Sequence, residues 1–425
     1  MSLWTSEEIT AAMGGQPYGE FEVSGISIDT RTLQPGDLFI ALKGPHFDGH
    51  EFIDQAWQAG AAGFLSSKPL LDKPHILIPD TYAGLRALGV AARARTTAQV
   101  IAITGSVGKT TTRALAVAAF SSFSKVHAST GNLNNHLGVP LSLARMPRGA
   151  QTAIFEMGMN HFGEIEALSH LVRPHIGIIT ALDWVHSQNL DGTLEGVARA
   201  KAEICANLQG PLYAPIHLRE LLTPYVPKDQ VVTWIEHPFE GSLTLPGNEN
   251  RWNAALALAP VPPNHRLVAQ RAVGGVAPKA GRGRARVLTL DGKKISVLDD
   301  AYNAAPASMR AALTNLLARG GGRKIAVLGD MAELANPVEQ HENLGKFLNQ
   351  YPPHMLIAVG RFHQSILQAA PPSIPAMGFD DASQVMAYLR PRLQAGDQVL
   401  VKASNSTNLS IVVRELEHVA FNRVQ

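Results

Sequence analysis

One stretch constrains this chain more than any other: AQVIAITGSVGKTTTRALAVAAF, residues 98–120. Its first seven residues are a continuous apolar run, too short for a stable helix and closed by glycine. Such a run reads as a strand buried on both faces of a parallel sheet. TTTRALAVAAF then carries a helical pattern. A glycine turn between a buried strand and a helix lets backbone N–H groups curl around phosphate oxygens, and the helix start adds about half a positive charge. The eight residues Thr104, Gly105, Ser106, Val107, Gly108, Lys109, Thr110 and Thr111 therefore read as a phosphate-binding loop. Lys109 is expected to reach the β- and γ-phosphates of a nucleotide, and the Thr110 hydroxyl to hold Mg²⁺. The loop is a shortened variant, because Ile103 stands where the strict pattern has glycine. An ordinary βα turn is the alternative, and the Lys-Thr pair at the helix start argues against it.

A parallel sheet needs crossover helices, hence length. The 425 residues allow about three domains at roughly 150 residues each. Residues 1–84 read as a small, turn-rich α/β unit with a strand at Asp37–Leu42, a helix in FIDQAWQAGA and a strand in HILIP. Residues 85–303 repeat the strand–turn–helix pattern in TAIFEMG and HIGIITAL, with 261–286, rich in Pro, Gly and Arg, expected as an exposed excursion. Residues 304–425 restart it: PASMRAALTNLLAR as helix, then KIAVLGD, HMLIAVG and DQVLVKAS as strands of a second open, mostly parallel sheet. The expected fold is thus α/β throughout, in three domains.

Composition excludes several classes of function. Lys+Arg at 37 against Asp+Glu at 35 leaves a formal charge of +2, which argues against binding nucleic acid by bulk charge. The single cysteine, Cys205, allows no internal disulfide and no Cys-built zinc site. No run of ~18 apolar residues suggests a membrane span, and no signal peptide is apparent at the N-terminus. A cytoplasmic protein is expected, with a monomer as the default.

Along nearly its whole length the sequence resembles the Mur ligase family. SIDTRTLQPGDLFIALKG with FDGHEF, ITGSVGKTTT, GNLNNHLGVPLSL, EMGMNHFGEI, ARAKAEI, LDDAYNAAPASM and VLGDMAEL follow in family order. The GNLNN, YNA-P-SM and LGDM-EL segments resemble the member that adds D-alanyl-D-alanine to UDP-N-acetylmuramoyl-tripeptide. No DNPR segment of the sister enzyme occurs. The resemblance implies an N-terminal UDP-substrate domain, a central ATP-binding ligase domain and a C-terminal Rossmann-like domain. It implies an amide ligation in peptidoglycan precursor synthesis: ATP phosphorylates the tripeptide carboxylate, and the dipeptide amine attacks the acyl phosphate. The alternatives are another Mur-type or folylpolyglutamate-type ligase, or a nucleotide-binding regulator that no longer ligates.

By the same resemblance Glu156, at the end of TAIFE, binds the first Mg²⁺ with Thr110, and His186 a second; a solvated strand-end Glu and a structural His are the bland readings. Lys201 is informative without any resemblance. In TLEGVARAKAEICANL it shares the apolar stripe of Leu194, Val197, Ala198, Ile204, Cys205 and Leu208, a core-facing position. Burial lowers a lysine pKa and leaves a neutral amine, unless the side chain snorkels out. Related ligases carry a carbamylated lysine here that binds the second Mg²⁺. The resemblance further implies substrate contacts at Thr130, Asn134, Asn135, Asn160 and His161, with structural turns competing for each. It makes Asn303 the adenine contact and Asp330 the ribose contact. Ser27, Thr30, Arg31 and Lys43 become candidates for the UDP moiety, although Arg31 also suits a fold-stabilising ion pair. Three departures stand out: Glu249 replaces the histidine of the family's GxHNxxN, Lys402-Ala403-Ser404-Asn405 replaces KGSR, and YNAAP replaces the commoner YNANP.

Overall fold

The structure, a computed structural model, describes residues 2–421. Its N-terminal sheet contains β1 (Gln16–Tyr18), β2 (Gly25–Ser27), β3 (Asp37–Ile40), β4 (Gly63–Ser66) and β5 (His75–Leu77) in the order β1-β5-β4-β3-β2. Only the β1–β5 pairing is antiparallel. Helix α1 (Thr81–Arg95) follows, started by Asp80, whose carboxylate accepts from the N–H groups of Tyr82 and Ala83. It crosses residue 84, the expected domain boundary. The reason is hydrophobic: Leu85, Leu88 and Ala92 are fully buried in one core that also holds Val100 and Ala102 of the next sheet.

The central sheet is wholly parallel. Its strands are β6 (Gln99–Thr104), β7 (Val126–Ala128), β8 (Thr152–Glu156), β9 (Ile176–Ile179), β10 (Leu212–Pro215) and β11 (Val232–Ile235), ordered β11-β10-β9-β6-β8-β7. Both faces of β6 are covered, which explains its unbroken apolar run. Val100 and Ala102 face the N-terminal side. Ile101 and Ile103 face helix α2 (Lys109–Ser121), whose buried Thr112, Leu115, Ala116, Ala119 and Phe120 recur at helical spacing. Further on lie α3 (Leu194–Ala202), α4 (Asn248–Leu258) and α5 (Arg266–Gly274).

Two sequence expectations are corrected here. The segment 261–286 is not simply an exposed excursion: it contains α5, whose Ala269 and Val273 are fully buried against α2. The third sheet also begins earlier than residue 304. It comprises β12 (Arg284–Leu290), β13 (Lys293–Asp300), β14 (Lys324–Gly329), β15 (Met355–Val359), β16 (Ala376–Phe379) and β17 (Gln398–Lys402), in the order β12-β13-β17-β14-β15-β16. The hairpin β12–β13 is antiparallel and joins that sheet through β17, so 284–300 belong to the third unit. Helix α6 (Pro306–Ala318) packs Met309, Leu313 and Leu316 on it, beside Trp184 from the central unit.

Val273→Asp tests the packing of α5. A carboxylate there would be buried without a partner, so a loss of at least about 3 kcal/mol in denaturant unfolding is expected. A surface position would instead change stability by less than about 0.5 kcal/mol.

Candidate active site

The site starts at the carboxyl end of β6. Gly105 has φ +142° and Gly108 has φ +87°. A β-carbon on Gly105 would fall 2.1 Å from Thr180 Oγ1, and one on Gly108 would fall 2.6 Å from Asn253 Oδ1. Glycine is therefore required twice, by conformation and by space. Thr180, just past β9, braces the loop: its N–H donates to the Thr104 carbonyl at 2.9 Å and its hydroxyl to the Val107 carbonyl at 2.5 Å. Lys109 Nζ donates to the carbonyls of Gly105 (2.6 Å) and Ser106 (3.3 Å), and burial lowers its pKa against the opposing pull of Glu156.

Glu156, at the end of β8, is 1% exposed. The Thr110 hydroxyl lies 3.3 Å from its Oε2. Its Oε1 accepts no hydrogen bond, although the Arg113 guanidinium stands 3.2 Å away as an ion-pair partner. Arg113 is held in turn by Ser129 Oγ and the Gly131 carbonyl. A buried carboxylate oxygen without a hydrogen bond, beside a hydroxyl on the phosphate loop, is a donor set that suits Mg²⁺.

Lys201 is 1% exposed, as its place in the apolar stripe predicted, and its Nζ has no hydrogen bond or ion pair among the described residues. Burial, reinforced by Lys109, lowers its pKa well below the ordinary lysine value. His186 sits in a left-handed turn at φ +64° and contacts Glu333 of the third unit, Nδ1 to Oε2, at 2.8 Å. Together His186 and Lys201 offer nitrogen ligands only. Among the described residues no cluster of three His, Cys, Asp or Glu converges as a metal site.

A cleft of about 640 Å³ opens over these residues, between the central and third units. Four further contacts close it. Asp183 accepts from the Ala307 N–H at 2.8 Å, and Ser187 Oγ from the Ala335 N–H at 3.1 Å. Asn315 donates to Glu249 at 2.9 Å, and Trp184 packs into the third unit's core. Burial raises the pKa values of both Asp183 and Glu249.

Of the residues singled out from sequence, Ser106 through Thr111, Asn134, Asn135, Asn160, His161, His186 and Asn303 line the cleft. The Asn135 side chain is partly committed to local structure, accepting from the N–H groups of Leu137 and Gly138. His161 Nδ1 lies 3.1 Å from Glu164. Thr104, Gly105, Glu156 and Lys201 lie beneath the surface, and Thr130 is exposed outside it. Asp330 is not on the cleft wall: its carboxylate accepts from the N–H groups of Arg361 and Phe362. The structure instead presents Asp300, paired with Lys402 Nζ at 2.6 Å. Both were in quoted motifs, but only the parallel pairing of Asp300 with Lys402 reveals them as neighbours. Arg282, stacked over Tyr302 at 4.2 Å, also lines the cleft; its glycine-rich segment had read as exposed. The four N-terminal candidates lie away from this cleft. Ser27 bonds the Asp29 carbonyl, Thr30 bonds Gln55, and Lys43 is exposed. Arg31 pairs with Asp29, the ion pair that sequence left open.

Comparison with known proteins accounts for this arrangement. The description "Mur ligase family, catalytic domain" matches residues 22–102, "Mur ligase middle domain" 103–230, and "Mur ligase, glutamate ligase domain" 283–405. The chain belongs to the Mur ligase family. It is 31% identical to the UDP-N-acetylmuramoyl-tripeptide–D-alanyl-D-alanine ligase of Bacillus subtilis, with 97% of each chain covered. It is 32% identical to the ligase of the same name from Escherichia coli, over 97% of this chain and 98% of the relative. Among solved structures, a MurF from Acinetobacter baumannii superposes with TM-score 0.83 at 27% identity, covering 98% of this chain and 99% of that one. A folylpolyglutamate synthase/dihydrofolate synthase from Yersinia pestis shares the fold at TM-score 0.54 and 14% identity, with 78% of this chain and 92% of that chain covered. In this Mur ligase the third matched region starts at residue 283, in agreement with the sheet that begins at Arg284.

Gly105→Ala should lower the melting temperature by several degrees, because its β-carbon collides with the Thr180 hydroxyl that braces the loop. Gly131→Ala is the control: its added β-carbon meets nothing within 4 Å, so only the strain at φ +57° remains.

Proposed function

We propose that this Mur ligase joins D-alanyl-D-alanine to UDP-N-acetylmuramoyl-tripeptide at the expense of ATP, in peptidoglycan precursor synthesis. The observation that carries this reading is similarity along nearly the whole chain to ligases of that name. In the reaction, a tripeptide carboxylate oxygen attacks the γ-phosphorus of ATP and ADP leaves. The dipeptide amine then adds to the acyl phosphate, and collapse forms the amide and releases phosphate with the amine's proton. Phosphoryl transfer between two anions depends on positive charge and alignment more than on a covalent catalyst.

In this reading the loop amides from Ser106 to Thr111 cradle the phosphates, and Lys109 leaves its own loop carbonyls for the β/γ-phosphate oxygens. Thr110 and Glu156 hold Mg²⁺, which offsets phosphate charge when bound. Arg113, within 3.2 Å of Glu156, orients its carboxylate. Asn134, Asn135, Asn160 and His161 position the acyl group, with Thr130 at the turn's edge, and Asn303 contacts the adenine. For the ribose we prefer Asp300 to Asp330, whose carboxylate the 361–362 amides already occupy. Ser27, Thr30, Arg31 and Lys43 remain our candidates for the UDP end of the substrate. A monomer remains our default, and the need for ATP suits the cytoplasm. No described helix is long and apolar enough to cross a membrane.

Lys201 is read as a carbamate. Its buried neutral amine adds to CO₂, forming an N–C bond and releasing one proton. The resulting carboxylate would supply the oxygen ligand that His186 lacks for a second Mg²⁺.

ADP release should require both the tripeptide and the dipeptide; release without the dipeptide would redirect the assignment of the acceptor. Lys109→Ala should reduce turnover by a factor of at least about 10². Lys201→Ala should lose most activity and regain part of it with short carboxylic acids. An unrescued variant, together with a wild type indifferent to CO₂ depletion, would sink the carbamate.

A further inference from the structure

Helix α6 starts at one of this chain's departures from the family pattern. Its N-cap position, extended at φ −137° and ψ 156°, holds Ala305 where the commoner YNANP has asparagine. Asparagine is among the best caps because its side-chain oxygen accepts the N–H of the second or third helical residue, and alanine has no such atom. Pro306, the first helical residue, has no N–H to satisfy, so the first amide that needs a partner is that of Ala307. It finds one across the cleft, where Asp183 Oδ2 accepts it at 2.8 Å. The cap that α6 lacks locally is supplied by the central unit. A carboxylate also suits the positive end of a helix, and Arg310, one turn further along α6, adds to the attraction.

Asp183 is tied just as firmly to the phosphate loop. Its carbonyl accepts from Ser106 Oγ at 3.0 Å, and the Ala181 carbonyl two residues earlier accepts from the Ser106 N–H at 2.8 Å. Its Oδ1 accepts from the Trp184 N–H at 3.0 Å, and Trp184 packs into the third unit's core. On the far side, Asp300, Tyr302 and Asn303 line the cleft just before α6 begins. Resting on the nucleotide reading of this cleft, we propose that Asp183 is a positioning residue: it caps α6 from the other unit and so holds the third unit against the phosphate loop before nucleotide binds. Neither the cap nor the Ser106 bond needs a nucleotide atom. Nucleotide therefore meets a cleft already assembled, and its affinity scales with the fraction of molecules in that state.

Calorimetric titration of the full chain with ADP, thermal melting, and small-angle scattering with and without ADP test this without turnover. Wild type should keep one radius of gyration whether or not ADP is present. Asp183→Ala should expand in the absence of ADP and bind it at least about ten-fold more weakly, because a hydrogen bond to a charged group is lost. Asp183→Asn keeps an acceptor and should stay within about three-fold of wild type. Adding Ala305→Asn to Asp183→Ala caps α6 from within, so the melting temperature should recover while ADP affinity stays weak. Recovery of both would make Asp183 a purely structural cap and overturn the proposal. So would an Asp183→Ala chain that binds ADP as tightly as wild type. A wild type that contracts on adding ADP overturns it even if the variants fail to fold, and leaves the ligase reading standing, whereas one that binds no nucleotide sinks both.

Discussion

The chain passes from β6 to α2 through Gly105 and Gly108, at φ +142° and +87°, and neighbouring elements are placed by what touches that turn. Thr180 braces it from β9, Asn253 presses on it from α4, and Thr110 points back at Glu156 on β8. Each partner comes from a different crossover of the parallel sheet. Glycine adopts the positive φ at both positions without steric cost, and Thr180 and Asn253 fill the space that a side chain would need. The same turn aims the start of α2 at the cleft, so it also concentrates N–H donors where phosphate oxygens are expected.

Charge burial beneath the turn has a matching logic. Lys201 makes no ion pair among the described residues, and its desolvation, against the weaker pull of Glu203 and Glu164, favours the neutral amine. Glu156 keeps a guanidinium within 3.2 Å yet leaves one oxygen without a hydrogen bond. Buried polar groups that stay incompletely satisfied cost stability, and they occur where function needs them. The third unit completes the enclosure through Asp183–Ala307, Glu333–His186 and Asn315–Glu249. All three join the central unit at the rim of the cleft rather than far from it.

Much of this was legible in the linear pattern. The run at 98–104, the glycines after it and the stripe holding Lys201 depend on neighbours within one strand, one turn or one helix. The exposed reading of 261–286 failed because nine helical residues inside a Pro/Gly/Arg-rich segment carry only a short periodic signal. The boundary at 303 failed because β12 and β13 are a local hairpin whose allegiance is fixed by a strand about a hundred residues later. Asp330 was expected as the ribose contact from the family resemblance, and its strand-end position suited that role. Only the fold shows the Arg361 and Phe362 amides already on its carboxylate.

Alone, the sequence determined what short-range sterics and burial dictate: a phosphate loop after a buried strand, a lysine turned into the core, and α/β architecture in three units. Tertiary structure decided which distant residues share the cleft, because that depends on strand order and on how the third unit closes. Asp300 meets Lys402 through parallel pairing, and Glu249 meets Asn315 across two units; no local periodicity encodes either encounter.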